Sequence, residues 1–69
     1  MKITINAELD RHLKSELENL EKEHRGQEDG FTGAYNDLIT TGQCESTSNT
    51  LIYFVAYTLS TTNIDFSII

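Results

Sequence analysis

The chain has 69 residues, 38% of them hydrophobic, and a formal net charge of -6 at pH 7 from eleven acidic and five basic residues. A chain this short forms one domain at most and buries only about 60% of its unfolded surface, which leaves little room for an enclosed active site. Its negative charge repels phosphate backbones and anionic lipid headgroups, so we expect no direct binding to nucleic acid or membrane.

Cysteine content and hydropathy indicate the compartment. Cys44 is the only cysteine, which excludes an intramolecular disulfide and a cysteine-rich zinc site and fits a reducing compartment. No apolar segment of about 7–15 residues follows the initial strand-like residues, as a signal peptide would require. The longest apolar run, Leu51–Tyr57, is far shorter than the ~20 residues that span a bilayer. We therefore expect a soluble, cytoplasmic protein.

The first half of the chain predicts one strand and two helices. Residues 2–6 alternate polar and apolar side chains, as in a half-buried strand. Residues 7–25 predict the main helix, with Asn6 as N-cap, Gly26 after its last turn, and an apolar stripe of Leu9, Leu13, Leu17 and Leu20. Apolar residues at helical spacing from Phe31 predict a second, short helix that ends near Gly42. Residues 43–49 are polar and predict a loop.

The last third of the chain favours a β-hairpin. Residues 50–59 are β-branched, aromatic and aliphatic without a charge, residues 60–63 are polar, and residues 64–68 alternate strictly. One face of this hairpin forms the core, and it carries Leu51, Tyr53, Val55, Tyr57, Leu59, Ile64, Phe66 and Ile68. The other face carries Ile52, Phe54, Ala56 and Thr58, which is unusually apolar for a solvated face. Either the second helix or a partner protein covers it.

These elements predict an α+β fold. We expect a small two-layer β-α-α-β-β domain over residues 1–69, in which the C-terminal hairpin packs on one long amphipathic helix.

Residues that could carry chemistry are isolated from one another. His12 and His24 are twelve residues apart, whereas a helical metal site uses spacings of three or four. Cys44 has no neighbouring base, and Glu45 beside it would raise the pKa of its thiol, so partial burial is the simpler explanation. Phosphate-binding glycine loops and calcium-loop patterns are absent. We therefore expect no enzymatic activity, no catalytic residues, no cofactor and no metal.

The acidic residues are unevenly distributed. Ten of the eleven lie between Glu8 and Glu45, and six of these share residues 8–25 with four basic residues. The segment that follows contains four acids and no base. We expect a partner to contact this segment and the outer hairpin face through Glu28, Asp29, Tyr35, Asp37, Glu45, Ile52 and Phe54.

Short length, negative charge and an apolar strand favour a protein-binding module that inhibits or modulates a larger host complex. In size and charge the chain resembles phage-encoded anti-defence proteins, including anti-CRISPR proteins and nucleic-acid mimics, although no motif carries this likeness. It implies occlusion of a basic protein surface, including the surface of a nucleic-acid-handling complex.

The opening strand and leucine-striped helix also resemble ribbon-helix-helix repressors and antitoxins. That resemblance covers about forty residues and implies a homodimer in which the strand pairs with its twin and presents Lys2, Thr4 and Asn6 to DNA. The acidic charge, Gly33 in the second helix and the additional C-terminal segment depart from the family pattern. A dimeric regulator of this type is therefore the alternative hypothesis.

Overall fold

A computed structural model describes all 69 residues as a mixed α+β fold of three helices and one three-stranded antiparallel sheet. In chain order the elements are β1 (Lys2–Ile5), α1 (Arg11–His24), α2 (Phe31–Thr41), β2 (Gln43–Glu45), α3 (Asn49–Ser60) and β3 (Phe66–Ile68). The strand order is β2-β1-β3, so the first strand is the central one. No helix has both the length and the apolar character required to cross a bilayer.

The sheet is buried on one face only. Ile3 and Ile5 of β1 are buried, whereas Lys2 and Thr4 between them are half-buried, as the alternation of the sequence predicts. On β2 only Cys44 is buried. These inward side chains join the apolar sides of the helices in a core of fourteen residues. Leu17, Leu38 and Leu59, one from each helix, have no exposed surface there.

Strand β1 has no free edge. Ile3 pairs with Cys44 on one side and with Ile68 on the other. The ribbon-helix-helix resemblance implied that this strand pairs with a twin, and this expectation is wrong for the folded chain because β2 and β3 already occupy both of its edges.

Helix α1 follows the predicted leucine stripe but starts later than predicted. Its N-cap is Asp10, whose carboxylate accepts a hydrogen bond from the amide of Leu13 at 2.8 Å. Asn6 instead donates a side-chain hydrogen bond to Ser67 of β3. Asp10 is an effective cap because its carboxylate satisfies an amide that has no partner within the helix.

Helix α2 is confirmed over its predicted length, and Gly42 closes it. Gly42 has a φ of 78° and donates its amide to the carbonyl of Leu38 at 2.9 Å, which is a left-handed C-terminal cap. The prediction of a loop directly afterwards is wrong, because residues 43–45 form β2 as an edge strand of the sheet.

The predicted C-terminal hairpin is wrong, and the chain is not β-α-α-β-β. Residues 49–60 form helix α3, which Ser48 caps by accepting a hydrogen bond from the amide of Leu51. The buried residues of α3 are Leu51, Ile52, Val55, Thr58 and Leu59, which recur at helical rather than strand spacing. Burial of this face overrides the strand propensity of β-branched and aromatic residues, which is a weak preference.

The last predicted strand exists, but with a different partner. Strand β3 covers three of the five predicted residues and pairs with β1 instead of the 50–59 segment. Ile64, which was predicted to belong to this strand, precedes it and is buried in the core.

Candidate functional site

Two tyrosines dominate the exposed side of helix α3. Tyr53 and Tyr57 are 59% and 60% exposed to solvent. They are one helical turn apart and point away from the side that carries Ile52, Val55 and Leu59. The hairpin prediction placed both tyrosines in the core, which is wrong because a helical repeat turns them outward. We call Tyr53, Phe54 and Tyr57 the aromatic face.

Phe54 connects the aromatic face to the core. Its ring stacks with Tyr57 at a centroid distance of 6.4 Å and an interplanar angle of 26°. It also meets the rings of Phe31 at 5.3 Å and His24 at 5.8 Å in edge-to-face contacts. Each geometry is favourable for aromatic pairs. Phe54, which the sequence proposed as a contact residue, is therefore half-buried and contacts Tyr57.

The turn between α1 and α2 carries Glu28 and Asp29. We call residues 26–30 the acidic turn. It begins and ends with glycines at positive φ, 83° at Gly26 and 82° at Gly30, a conformation that most side chains avoid. A Cβ atom on Gly30 would lie 3.2 Å from Leu51 of α3. This close approach holds the acidic turn against the first turn of α3.

An ion pair lies at the end of α1, directly before the acidic turn. Glu21 accepts two hydrogen bonds from Arg25, at 2.9 and 2.5 Å, and one from the hydroxyl of Thr32 at 2.9 Å. The pairing with Arg25 lowers the pKa of Glu21 from its ordinary 4.5 to about 2. The hydrogen bond from Thr32 joins Glu21, near the end of α1, to the start of α2, where the positive end of the α2 dipole favours a carboxylate.

Asp37 and Glu45 lie elsewhere. They line a shallow open groove of about 330 Å³ between α2 and β2, together with Lys2, Thr41, Gln43 and Cys44. Asp37 lies about 9 Å along α2 from Phe31, at 1.5 Å per residue, and is therefore remote from the acidic turn that precedes this helix. Cys44 is 4% exposed at the base of this groove, and burial raises the pKa of its thiol, which disfavours the nucleophilic thiolate.

Two of the predicted contact residues have no exposed surface at all. Tyr35 and Ile52 are fully buried, so neither touches a partner in the folded chain. The Tyr35 hydroxyl lies 2.5 Å from that of Thr58, which in turn donates to the carbonyl of Val55 at 2.8 Å. Burial raises the pKa of Tyr35 to about 12. Tyr35 therefore fixes α3 against α2.

Five of the seven predicted contact residues keep exposed surface, namely Glu28, Asp29, Asp37, Glu45 and Phe54, and the structure adds the exposed Tyr53 and Tyr57. The spacing of four between these tyrosines, out of phase with Leu51, Val55 and Leu59, was a signal available in the sequence. No group of three or more histidine, cysteine or acidic side chains is placed to hold a metal ion. Comparison of the chain with protein-family models, curated proteins and solved structures gave no match.

Proposed function

We propose that the protein is a non-enzymatic protein-binding module that inhibits or modulates a larger complex by occluding a basic surface. The contact surface is the aromatic face together with the acidic turn. The observation that carries this proposal is the exposure of Tyr53 and Tyr57 on a helix without charged residues, in a chain of net charge -6.

Tyrosine is suited to this role. It is enriched at protein interfaces and among the few residues that dominate binding energy, because its large rigid ring loses little entropy on binding. The ring of Tyr57 already stacks against Phe54. A preorganised ring costs less to immobilise when a partner docks.

The charge distribution supports a basic partner. The net charge is -6, and Glu28 and Asp29 lie next to each other in the acidic turn. Complementary charge mainly accelerates association and is screened by salt. A basic protein surface that normally holds nucleic acid would meet this requirement, which is the occlusion expected of an anti-defence protein or nucleic-acid mimic.

The test is affinity capture from the native host, followed by binding measurements with the purified captured protein. Tyr53→Ser with Tyr57→Ser should weaken binding by about 2 kcal/mol or more, which is roughly thirtyfold in Kd. Glu28→Gln with Asp29→Asn should slow association and reduce its salt dependence. A matched control, Glu8→Gln with Glu18→Gln, removes the same charge from two other exposed positions and should have a smaller effect.

Two results would refute the proposal. One is unchanged affinity after both tyrosines are replaced in a variant that remains folded by circular dichroism. The other is an association rate that does not change between low and high salt.

A further inference from the structure

Strand β3 leaves one edge of the sheet open. The backbone of Lys2 donates to Ile69 at 3.0 Å and accepts from it at 2.8 Å, so Ile69 turns its amide and carbonyl toward β1. Successive residues of an antiparallel strand turn these groups to opposite sides. The N–H and C=O groups of Phe66 and Ile68 therefore point away from β1, toward an edge where no further strand lies.

The other edge of the sheet is blocked. At β2 the amide of Gln43 donates to the hydroxyl of Thr41 at 3.3 Å, and the same hydroxyl lies 3.2 Å from the carbonyl of Gln43. Glu45 adds a charge to this strand. Charged side chains and covered backbone groups protect an edge strand from pairing with another chain. Residues 66–69 contain neither a charge nor a proline, so the β3 edge is the one open to an additional strand.

The side chains beside this edge match a second copy of the chain. Phe66 and Ile68 lie on the inner face of the sheet, opposite Ile5 and Ile3 of β1, and Ile68 is 37% exposed. A twofold axis at Ser67 sets each Phe66 directly opposite Ile68 of the other copy. Each such pair exchanges both of its backbone hydrogen bonds and forms an aromatic–β-branched contact, which stabilises antiparallel sheets.

We propose that the edge of β3 is a self-association surface, on which a second copy of this chain adds its own β3 antiparallel and extends the sheet. This register opposes no like charges, because Asp65 faces Ile69 of the other copy and Ser67 faces its equivalent. The paired segments, residues 65–69, are much smaller than the roughly 20–30 residues per partner of a standard interface. The dimer is therefore weak, with a Kd of about 10 μM to 1 mM.

Sedimentation velocity of the full chain between about 20 μM and 1 mM measures this association. We expect the sedimentation coefficient to rise with concentration, and the amides of Phe66 and Ile68 to exchange with deuterium more slowly in the concentrated sample. The amide of Ser67, which already faces β1, should change less. Because each chain has a net charge of -6, added salt should strengthen self-association, whereas it weakens binding to a basic partner.

Charge variants test the register. Ser67→Lys and Ser67→Glu each place like charges opposite each other, so each alone should associate about three- to fivefold more weakly than the unaltered chain. An equimolar mixture of the two variants should recover the lost affinity. The matched control is Gln43→Lys with Gln43→Glu, which puts the same charges on the exposed outer face of β2 and should show no gain on mixing.

Two results would overturn self-association through β3. One is a chain that stays monomeric at the highest concentration, and the other is a mixture of the Ser67 variants that associates no better than either alone. Slower exchange of Phe66 and Ile68 caused by the captured partner protein, without any effect of concentration, would assign the edge to a different chain and would equally contradict the proposal. The proposed function stands or falls separately, on the tyrosine-to-serine variants and the captured partner.

Discussion

Replacing Thr58 with valine tests how α3 is held in the core. The Tyr35 hydroxyl donates to the hydroxyl of Thr58, which donates onward to the carbonyl of Val55, and both side chains are fully buried. Valine keeps the shape of threonine but leaves the Tyr35 hydroxyl without an acceptor. An unsatisfied buried hydroxyl costs about 1–3 kcal/mol. For a domain of this size, a loss of about 2 kcal/mol lowers Tm by roughly 8–16 °C.

Tyr35→Phe should cost less, about 0.5–1.5 kcal/mol, because Thr58 keeps its bond to the carbonyl of Val55. In the double variant no hydroxyl is left without a partner, so the loss should be smaller than the sum of the two single losses by at least about 0.5 kcal/mol. Thr50→Val, at an exposed position of α3, is the matched control and should change stability by less than about 0.5 kcal/mol.

The assay is urea denaturation followed by circular dichroism at pH 7, with Tm as a second measurement. The result also distinguishes the helix from the predicted hairpin, in which Thr58 lay on the outer face. A Thr58→Val variant as stable as the unaltered chain, or strictly additive losses in the double variant, would refute the placement of this hydrogen bond.

Three further predictions concern pH and backbone conformation. Because pairing lowers the pKa of Glu21 to about 2, the stability that Glu21 contributes should be complete above pH 4.5 and be lost as the pH falls toward 2. Glu21→Gln should therefore be less stable at pH 7, but its free energy of unfolding should fall less between pH 4.5 and 2. The same decline in both chains over this pH range would contradict the prediction. Because burial raises the pKa of Tyr35 to about 12, the free energy of unfolding should decline as the pH rises from 10 to 12. In the variant Tyr53→Phe with Tyr57→Phe, Tyr35 is the only phenol, and ultraviolet absorption should show it ionising near pH 12 or together with unfolding. Ionisation at pH 10 in the folded chain would be inconsistent with its burial. Gly33→Ala, at an open position inside α2, should stabilise the chain by about 0.5–1 kcal/mol, whereas Gly30→Ala, at positive φ and against α3, should destabilise it; equal Tm shifts would argue against the described turn.

Local patterns in residues 2–41 were sufficient to predict β1, α1 and α2. Alternation in residues 2–5 and helical spacing in α1 and α2 depend on neighbouring residues alone, and the structure confirms them. The start of α1 was missed because Asn6 and Asp10 are both acceptable caps, and only Asp10 accepts from an amide of the helix.

Residues 49–60 show what local propensity does not determine. Val55 and its β-branched neighbours favour a strand, yet the segment is helical because its buried side packs on α2 and β1 and Thr58 provides an acceptor for Tyr35. The incorrect strand assignment also affected the predicted site, because Tyr53 and Tyr57 point into the core in the predicted strand and toward solvent in the helix. For the same reason Ile52, which was predicted to contact a partner, lies in the core. The acidic turn was foreseeable because Glu28 and Asp29 lie between two glycines.

The central position of β1 has a consequence for how the chain folds. Residues 2–5 are synthesised before the other elements described here, but one of their partner strands is residues 66–68. At about 5–20 residues per second, one edge of β1 waits roughly 3–12 s for that partner during synthesis. Pairing over so long a sequence separation also slows folding after synthesis. The helices can form earlier, so the last event in folding should be the closure of the sheet around its oldest strand.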